Sequence, residues 1–186
     1  CMFTKKRIYL DYAAVTPIDN RVVKAMRVVQ KIFANPSSIH SEGVLAKKTL
    51  EDARTTIARL ASIKANEVLF TASGTESNNL IIQGIVNAYE GSGKPHIITT
   101  TIEHPAILEV CRALKDVEVT YVGVNEEGLV NPKDIEKNLQ ENTILVSVMQ
   151  ANNEIGTIQP ISKISKIIQK YRREKGSQYP YMHTDA

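Results

Sequence analysis

The run Thr143-Ile144-Leu145-Val146-Ser147-Val148-Met149 is almost unbroken in apolar side chains. A strand with one wet face alternates apolar and polar residues. A continuous run of aliphatic and β-branched residues is instead expected where both faces of a sheet are covered. Such a strand needs neighbours on either side and helices above and below, and the surrounding sequence supplies both patterns. Short β-rich runs are predicted at residues 7–10, 67–71, 96–101, 117–122 and 181–184. Between them lie amphipathic stretches. One opens at Asp19 or Asn20 and carries Val22, Val23, Met26, Val29 and Phe33 at helical spacing, and Asn35-Pro36-Ser37-Ser38 breaks it. Others are predicted at 41–61, at 105–114, at 132–139 and at 160–174, and one follows the turn 72–76 and ends at Gly91-Ser92-Gly93. Strands alternating with helices predict an α/β fold, a mostly parallel sheet with helices on both faces.

Composition narrows the function classes. Hydrophobic residues make up 42% and charged residues 23% of the 186, with a net charge of +3 and no Trp. The basic runs Lys5-Lys6-Arg7 and Arg172-Arg173 read as solvated faces rather than a nucleic-acid patch, and no aromatic platform for base stacking is present. No stretch approaches the ~18 apolar residues of a membrane span, and no apolar leader follows the start. Two cysteines do not make a disulfide framework, which points to a cytoplasmic setting. Cys1, ahead of Met2, is assigned no mechanistic part. His40, His96, His104 and His183 lack the close spacing of a zinc site, so no metal is expected.

In open parallel sheets ligands collect at the carboxyl ends of strands, which directs attention to four loops. Ser73-Gly74-Thr75 would present free backbone N–H groups and a hydroxyl at a helix start, where the dipole favours an anion such as phosphate. A plain N-cap by Ser73 or Thr75 is the competing reading, and no Gly-Lys-Ser/Thr follows to make a P-loop. Glu103-His104-Pro105 offers an imidazole, either structural or functional. Asn152-Asn153-Glu154 follows a very apolar strand, so these polar groups need partners, from turn chemistry or from a hydroxyl-bearing ligand. In His183-Thr184-Asp185 an acid closes a buried strand, which calls for a cation or a donor. A protonated heterocyclic nitrogen, a helix cap or an ordinary ion pair would each serve.

Taken together, these loops resemble a known family. Tyr9-Leu10-Asp11-Tyr12-Ala13-Ala14, Asn35-Pro36-Ser37-Ser38-Ile39-His40, Phe70-Thr71-Ala72-Ser73-Gly74-Thr75-Glu76-Ser77-Asn78-Asn79, Thr101-Ile102-Glu103-His104-Pro105-Ala106, Ala151-Asn152-Asn153-Glu154-Ile155-Gly156 and His183-Thr184-Asp185-Ala186 are similar, in order and spacing, to the NifS/IscS cysteine desulfurases. Those enzymes belong to the class V aminotransferase group of fold-type I enzymes dependent on pyridoxal 5'-phosphate (PLP). The resemblance implies a partial PLP-binding large domain over residues 16–186 and an N-terminal segment, 1–15, that joins the small domain. It implies that Gly74 and Thr75 hold the phosphate, that His104 stacks on the pyridine ring as the catalytic imidazole, that Asn153 meets the ring's 3-hydroxyl oxygen, and that Asp185 partners the pyridinium nitrogen.

The implied reaction converts L-cysteine to L-alanine, with sulfur leaving as an enzyme persulfide for iron–sulfur cluster assembly or tRNA thiolation. A homodimer and sulfur-acceptor or scaffold proteins are the implied partners, with no direct nucleic acid and no membrane. The family's Schiff-base lysine and persulfide cysteine lie beyond Asp185, so this chain alone is expected to be inactive, and Cys111 reads as a small core residue. Tyr12-Ala13-Ala14-Val15 departs from the usual run, which ends in two threonines, and residues 178–181 form a slightly longer connector than the family's. Selenocysteine lyase, another class V enzyme, and a non-catalytic truncated or split-gene product acting in dimerisation or interaction are the alternative readings.

Overall fold

The computed structural model describes residues 7–186, so Cys1, Lys5 and Lys6 lie outside the described residues. The chain divides into a first unit that ends at Phe70 and a second over Thr71–Ala186.

In the first unit, α1 (Asn20–Val29) starts where the Asp19 carboxylate accepts the Arg21 N–H at 2.7 Å. α2 (Ser41–Ala61) is capped by His40, whose Nδ1 accepts the Gly43 N–H. Helix α1 stops short of Phe33, which stands 89% exposed. Its last turn tightens, with Ile32 N–H bonding Val29 C=O at 2.8 Å. Val22, Met26 and Val29 are exposed too, so within the described residues no packing rewards extending the helix over its apolar stripe. Two expected strands are absent. Residues 7–10 and 67–71 carry no ladder; the chain at Ala65–Glu67 makes a 3-10 turn, and Val68 follows in extended conformation. Strand propensity cannot form a strand without a neighbour to hydrogen-bond, and no described strand pairs with either segment.

The second unit is the sheet. Helix α3 (Gly74–Asn87) leads to β1 (His96–Thr100), α4 (Pro105–Ala113), β2 (Glu118–Val122), α5 (Pro132–Lys137), β3 (Thr143–Ser147), α6 (Ile161–Lys175) and β4 (Tyr181–His183). The four strands lie in the order β2-β1-β3-β4, and every pairing is parallel. Successive side chains point to opposite faces except at Ile144, which the β1–β3 register skips between Thr143 and Leu145, and two cores result. Ile98, Val146 and Val148 pack with Ile135 of α5 and with Ile164 and Ile168 of α6. Ile97, Ile144 and Leu145 pack with Ile82 of α3 and with Ile107 and Cys111 of α4. The α/β architecture with helices on both faces is therefore present, and residues 143–149 are buried throughout. Helix α6 ends at Gly176, whose φ of +60° is the left-handed cap that glycine adopts without a Cβ penalty.

The strand order places the site. From β1 the chain turns one way, through α4 to β2; from β3 it turns the other, through α6 to β4. The crevice at the carboxyl ends of β1 and β3 is thus a topological switch point, where such sheets leave room for ligands. Because Leu145 is fully buried in the core beneath that crevice, Leu145→Ala is expected to cost about 2–5 kcal/mol of unfolding free energy in a urea titration.

Candidate functional site

Two loops leave the switch point and are stitched to each other before they diverge. Glu103, only 4% exposed, accepts the Thr100 hydroxyl at 2.6 Å and the Met149 N–H at 3.0 Å, both on Oε1. In return, the Asn152 amide donates to Ile102 C=O at 2.9 Å, and its Oδ1 accepts the N–H groups of Glu154 and Ile155. Asn152 therefore takes the turn role, and its neighbour Asn153 is left exposed with only Glu154 Oε1 as partner, at 3.2 Å. The two asparagines look alike in sequence; their backbone positions separate them.

Held in this frame, Gly74, Thr75, His104, Asn153 and Asp185 line one cavity of about 370 Å³, together with Asn78, Ala106, Met149, Ala151 and Ala186. That volume falls within the ~300–1,000 Å³ typical of small-molecule sites. All five residues singled out from the sequence therefore face the same space.

The cavity has two chemically different sides. On one, Ser73 caps α3 by accepting the Glu76 N–H at 3.1 Å. That leaves the Gly74 and Thr75 N–H groups with no acceptor among the described residues. A Cβ added at Gly74 would meet nothing within 4 Å, so only the open space itself would be encroached upon. Helix α4 also starts at this cavity. His104 is its N-cap, with Nδ1 accepting the Ala106 N–H at 3.0 Å. In the neutral ring the proton must then sit on Nε2, and the ring is pinned in place. The free donors at the α3 N-terminus favour an anion, whereas α4 contributes its dipole alone, because Pro105 has no N–H and those of Ala106, Ile107 and Leu108 are taken by His104. On the other side stands the half-buried Asp185 carboxylate, bonded by Asn78 Nδ2 at 3.0 Å, with its backbone C=O held by the Gln150 N–H at 2.8 Å. No described cation pairs with it. The arrangement suits a bipolar ligand, anionic at one end and carrying a protonated nitrogen at the other.

Sequence reasoning gave Asn78 no role, although a signal existed. Asn78 precedes Ile82 by one helical turn on the buried stripe of α3, where an apolar residue is the ordinary choice.

Cys111 lies in the core at 2% exposure, its thiol pushed up to about 11, first by burial and then by Glu103. A protonated, buried thiol is a poor nucleophile, so Cys111 is expected to resist alkylation, mapped by peptide mass, until the chain is unfolded.

Burial also raises the Glu103 carboxyl above its ordinary 4.5, against the two hydrogen bonds that favour the anion, with Asp185 adding to the rise. Its Oε2 has no partner. As the pH climbs from 4.5 through the raised value of the folded state, the native chain gives up the proton later than the unfolded chain does, and stability falls. Glu103→Gln keeps the Oε1 acceptor without the charge. Its stability advantage over the unsubstituted chain is expected to grow between pH 4.5 and 8 in thermal unfolding. Glu103→Ala, which orphans both donors, should lose about 1–3 kcal/mol.

The sequence and the fold are similar to those of known proteins. The Aminotransferase class-V family matches residues 8–173. Cysteine desulfurase IscS of Dictyoglomus turgidum is 46% identical over 98% of this chain and 45% of its own length. The mitochondrial cysteine desulfurase of Candida albicans is 41% identical over 100% of this chain and 37% of its own. A solved NifS-like protein superposes with a TM-score of 0.89 at 38% identity, over 97% of this chain and 48% of that one. SspA in complex with cysteine superposes at 0.87 with 35% identity, over 96% and 50%. The chain spans less than half the length of these curated relatives.

Proposed function

The chain belongs to the aminotransferase class-V family, and from that premise we propose that it carries the cofactor cradle of an L-cysteine desulfurase using PLP. The observation that carries this reading is the two-sided cavity. Its donor set fits PLP at each end: an anionic phosphate against the Gly74 and Thr75 N–H groups and the Thr75 hydroxyl, and a ring nitrogen against Asp185. Asn153, with an amide free of the turn, is assigned to the ring's hydroxyl oxygen, and the pinned His104 imidazole to the face of the ring.

When bound, the cofactor supplies a protonated ring that accepts the electrons released as a bond to the substrate Cα breaks. The protein's part is electrostatic and positional. Asp185, an anion with no competing cation among the described residues, keeps the proton on the ring nitrogen. The α3 N-terminus anchors the phosphate and so fixes the rotation of the ring. His104 has Nδ1 committed to Ala106, so Nε2 is the nitrogen available to hold or move a proton.

Among the described residues, no lysine and no cysteine lines the cavity. The covalent and sulfur-carrying steps are therefore assigned to residues other than these, and residues 1–186 alone are expected to bind PLP without sustained turnover. Residues 1–15 as a small-domain segment, a homodimer, sulfur-acceptor proteins and a reducing, cytoplasmic setting belong to the same proposal. The dimer is supported by the exposed apolar face of α1.

Titrating PLP into the folded chain should give a saturable absorbance change, competed by inorganic phosphate, and Thr75→Val should weaken binding about tenfold through the lost hydroxyl. A folded sample with no spectral response would overturn the cofactor assignment. Sustained alanine release from L-cysteine by residues 1–186 alone would overturn the division of labour.

A further inference from the structure

We propose that Asn78 is the positioning residue for the Asp185 carboxylate, holding one oxygen so that the other faces the ligand's ring nitrogen; this rests on the PLP reading above. A buried amide costs about 1–3 kcal/mol when left without partners. Asn78 is 3% exposed, and one turn along the same stripe Ile82 is fully buried. The amide therefore needs a partner, and the one it has is Asp185 Oδ2, at 3.0 Å and 107 residues away in sequence.

From the aspartate's side the contact is equally specific. Asp185 follows the end of β4, its main chain tied by its C=O to Gln150 N–H at 2.8 Å, so side-chain rotation is the freedom that remains. The Asn78 hydrogen bond removes it. Oδ1 has no protein partner among the described residues, and both Asn78 and Asp185 line the cavity.

The residue type matters as much as the contact. A lysine or arginine at position 78 would neutralise the carboxylate and compete with a cationic ring nitrogen. An aliphatic residue would leave the carboxylate free to turn. A neutral amide orients the charge without cancelling it. The neighbouring strand position is braced in the same manner, with the His183 ring nitrogen Nδ1 2.9 Å from Ser147 Oγ, so the segment that carries Asp185 is held from β3 and from α3 together.

The test is a binding cycle with two probes, PLP and its carbocyclic analogue in which C–H replaces the ring nitrogen. The proteins are the unsubstituted chain, Asn78→Leu, Asp185→Ala and the double variant. Asn78→Leu should lower PLP affinity about tenfold, the scale on which supporting residues act. It should leave affinity for the analogue unchanged and cost nothing further in the Asp185→Ala background. Equal losses for the two ligands, or additive losses in the double variant, would show that Asn78 merely supports the fold and would overturn the proposal. Thermal midpoints of the unliganded proteins guard against misfolding, and Asn78→Ser, shorter but still polar, replaces Asn78→Leu if that variant does not fold. An unsubstituted chain that is folded yet fails to bind PLP would remove the cofactor reading itself. Normal PLP binding by Asn78→Leu, by contrast, would remove only the inference about Asn78.

Discussion

The loops after β1 and β3 set off in opposite directions, and everything at the cavity depends on their being tied together first. Glu103 Oε1 performs that tie by accepting from Thr100, the last residue of β1, and from the Met149 main chain just beyond β3. Asn152 answers with a bond to Ile102. A buried carboxyl is costly to place in a sheet, and here it holds two main-chain segments in register where no ladder can, since the strands have already ended. His104 and Asn153 sit one residue beyond Glu103 and Asn152 respectively. Their positions are inherited from this pair of contacts.

The same economy runs through the rest of the site. Residues that face the cavity are each paired in sequence with a neighbour that faces the protein. Ser73 caps α3, and Gly74 and Thr75 keep their donors free. The His104 Nδ1 caps α4, and its Nε2 stays available. His183 is fixed against Ser147, and Asp185 opens toward the ligand. Rigid sites of this kind are more selective than mobile ones because the ordering cost is met during folding rather than on binding. Electrostatics follows from the same placement. The α3 N-terminus brings free donors to the cavity and Asp185 a carboxylate with no counter-cation among the described residues, so the site is polarised before any ligand arrives.

Much of this was legible in the chain. The apolar run at 143–149, the alternation of strand and helix patterns, and helix α2 over Ser41–Ala61 appear in the structure as the periodicity predicts, because burial on a sheet face or a helix stripe is written directly in residue spacing. Helix α1 and the segments at 7–10 and 67–71 depart from expectation for one shared reason. Propensity describes what a segment can do when something covers or pairs with it, and no described strand pairs with those two segments.

Asn152, Asn153, Asn78 and Asp185 mark the boundary between the two kinds of knowledge. Sequence alone drew attention to the loops that hold Gly74, Thr75, His104, Asn153 and Asp185, and the family resemblance singled out those residues, although no described strand precedes Gly74. Only the tertiary structure decided which asparagine of the 152–153 pair turns inward to hold the loop. It alone revealed that Asn78, on a helix 107 residues earlier, is the group that holds Asp185. A hydrogen bond between distant segments has no period and no local spacing, and it comes into existence when the sheet brings its ends together.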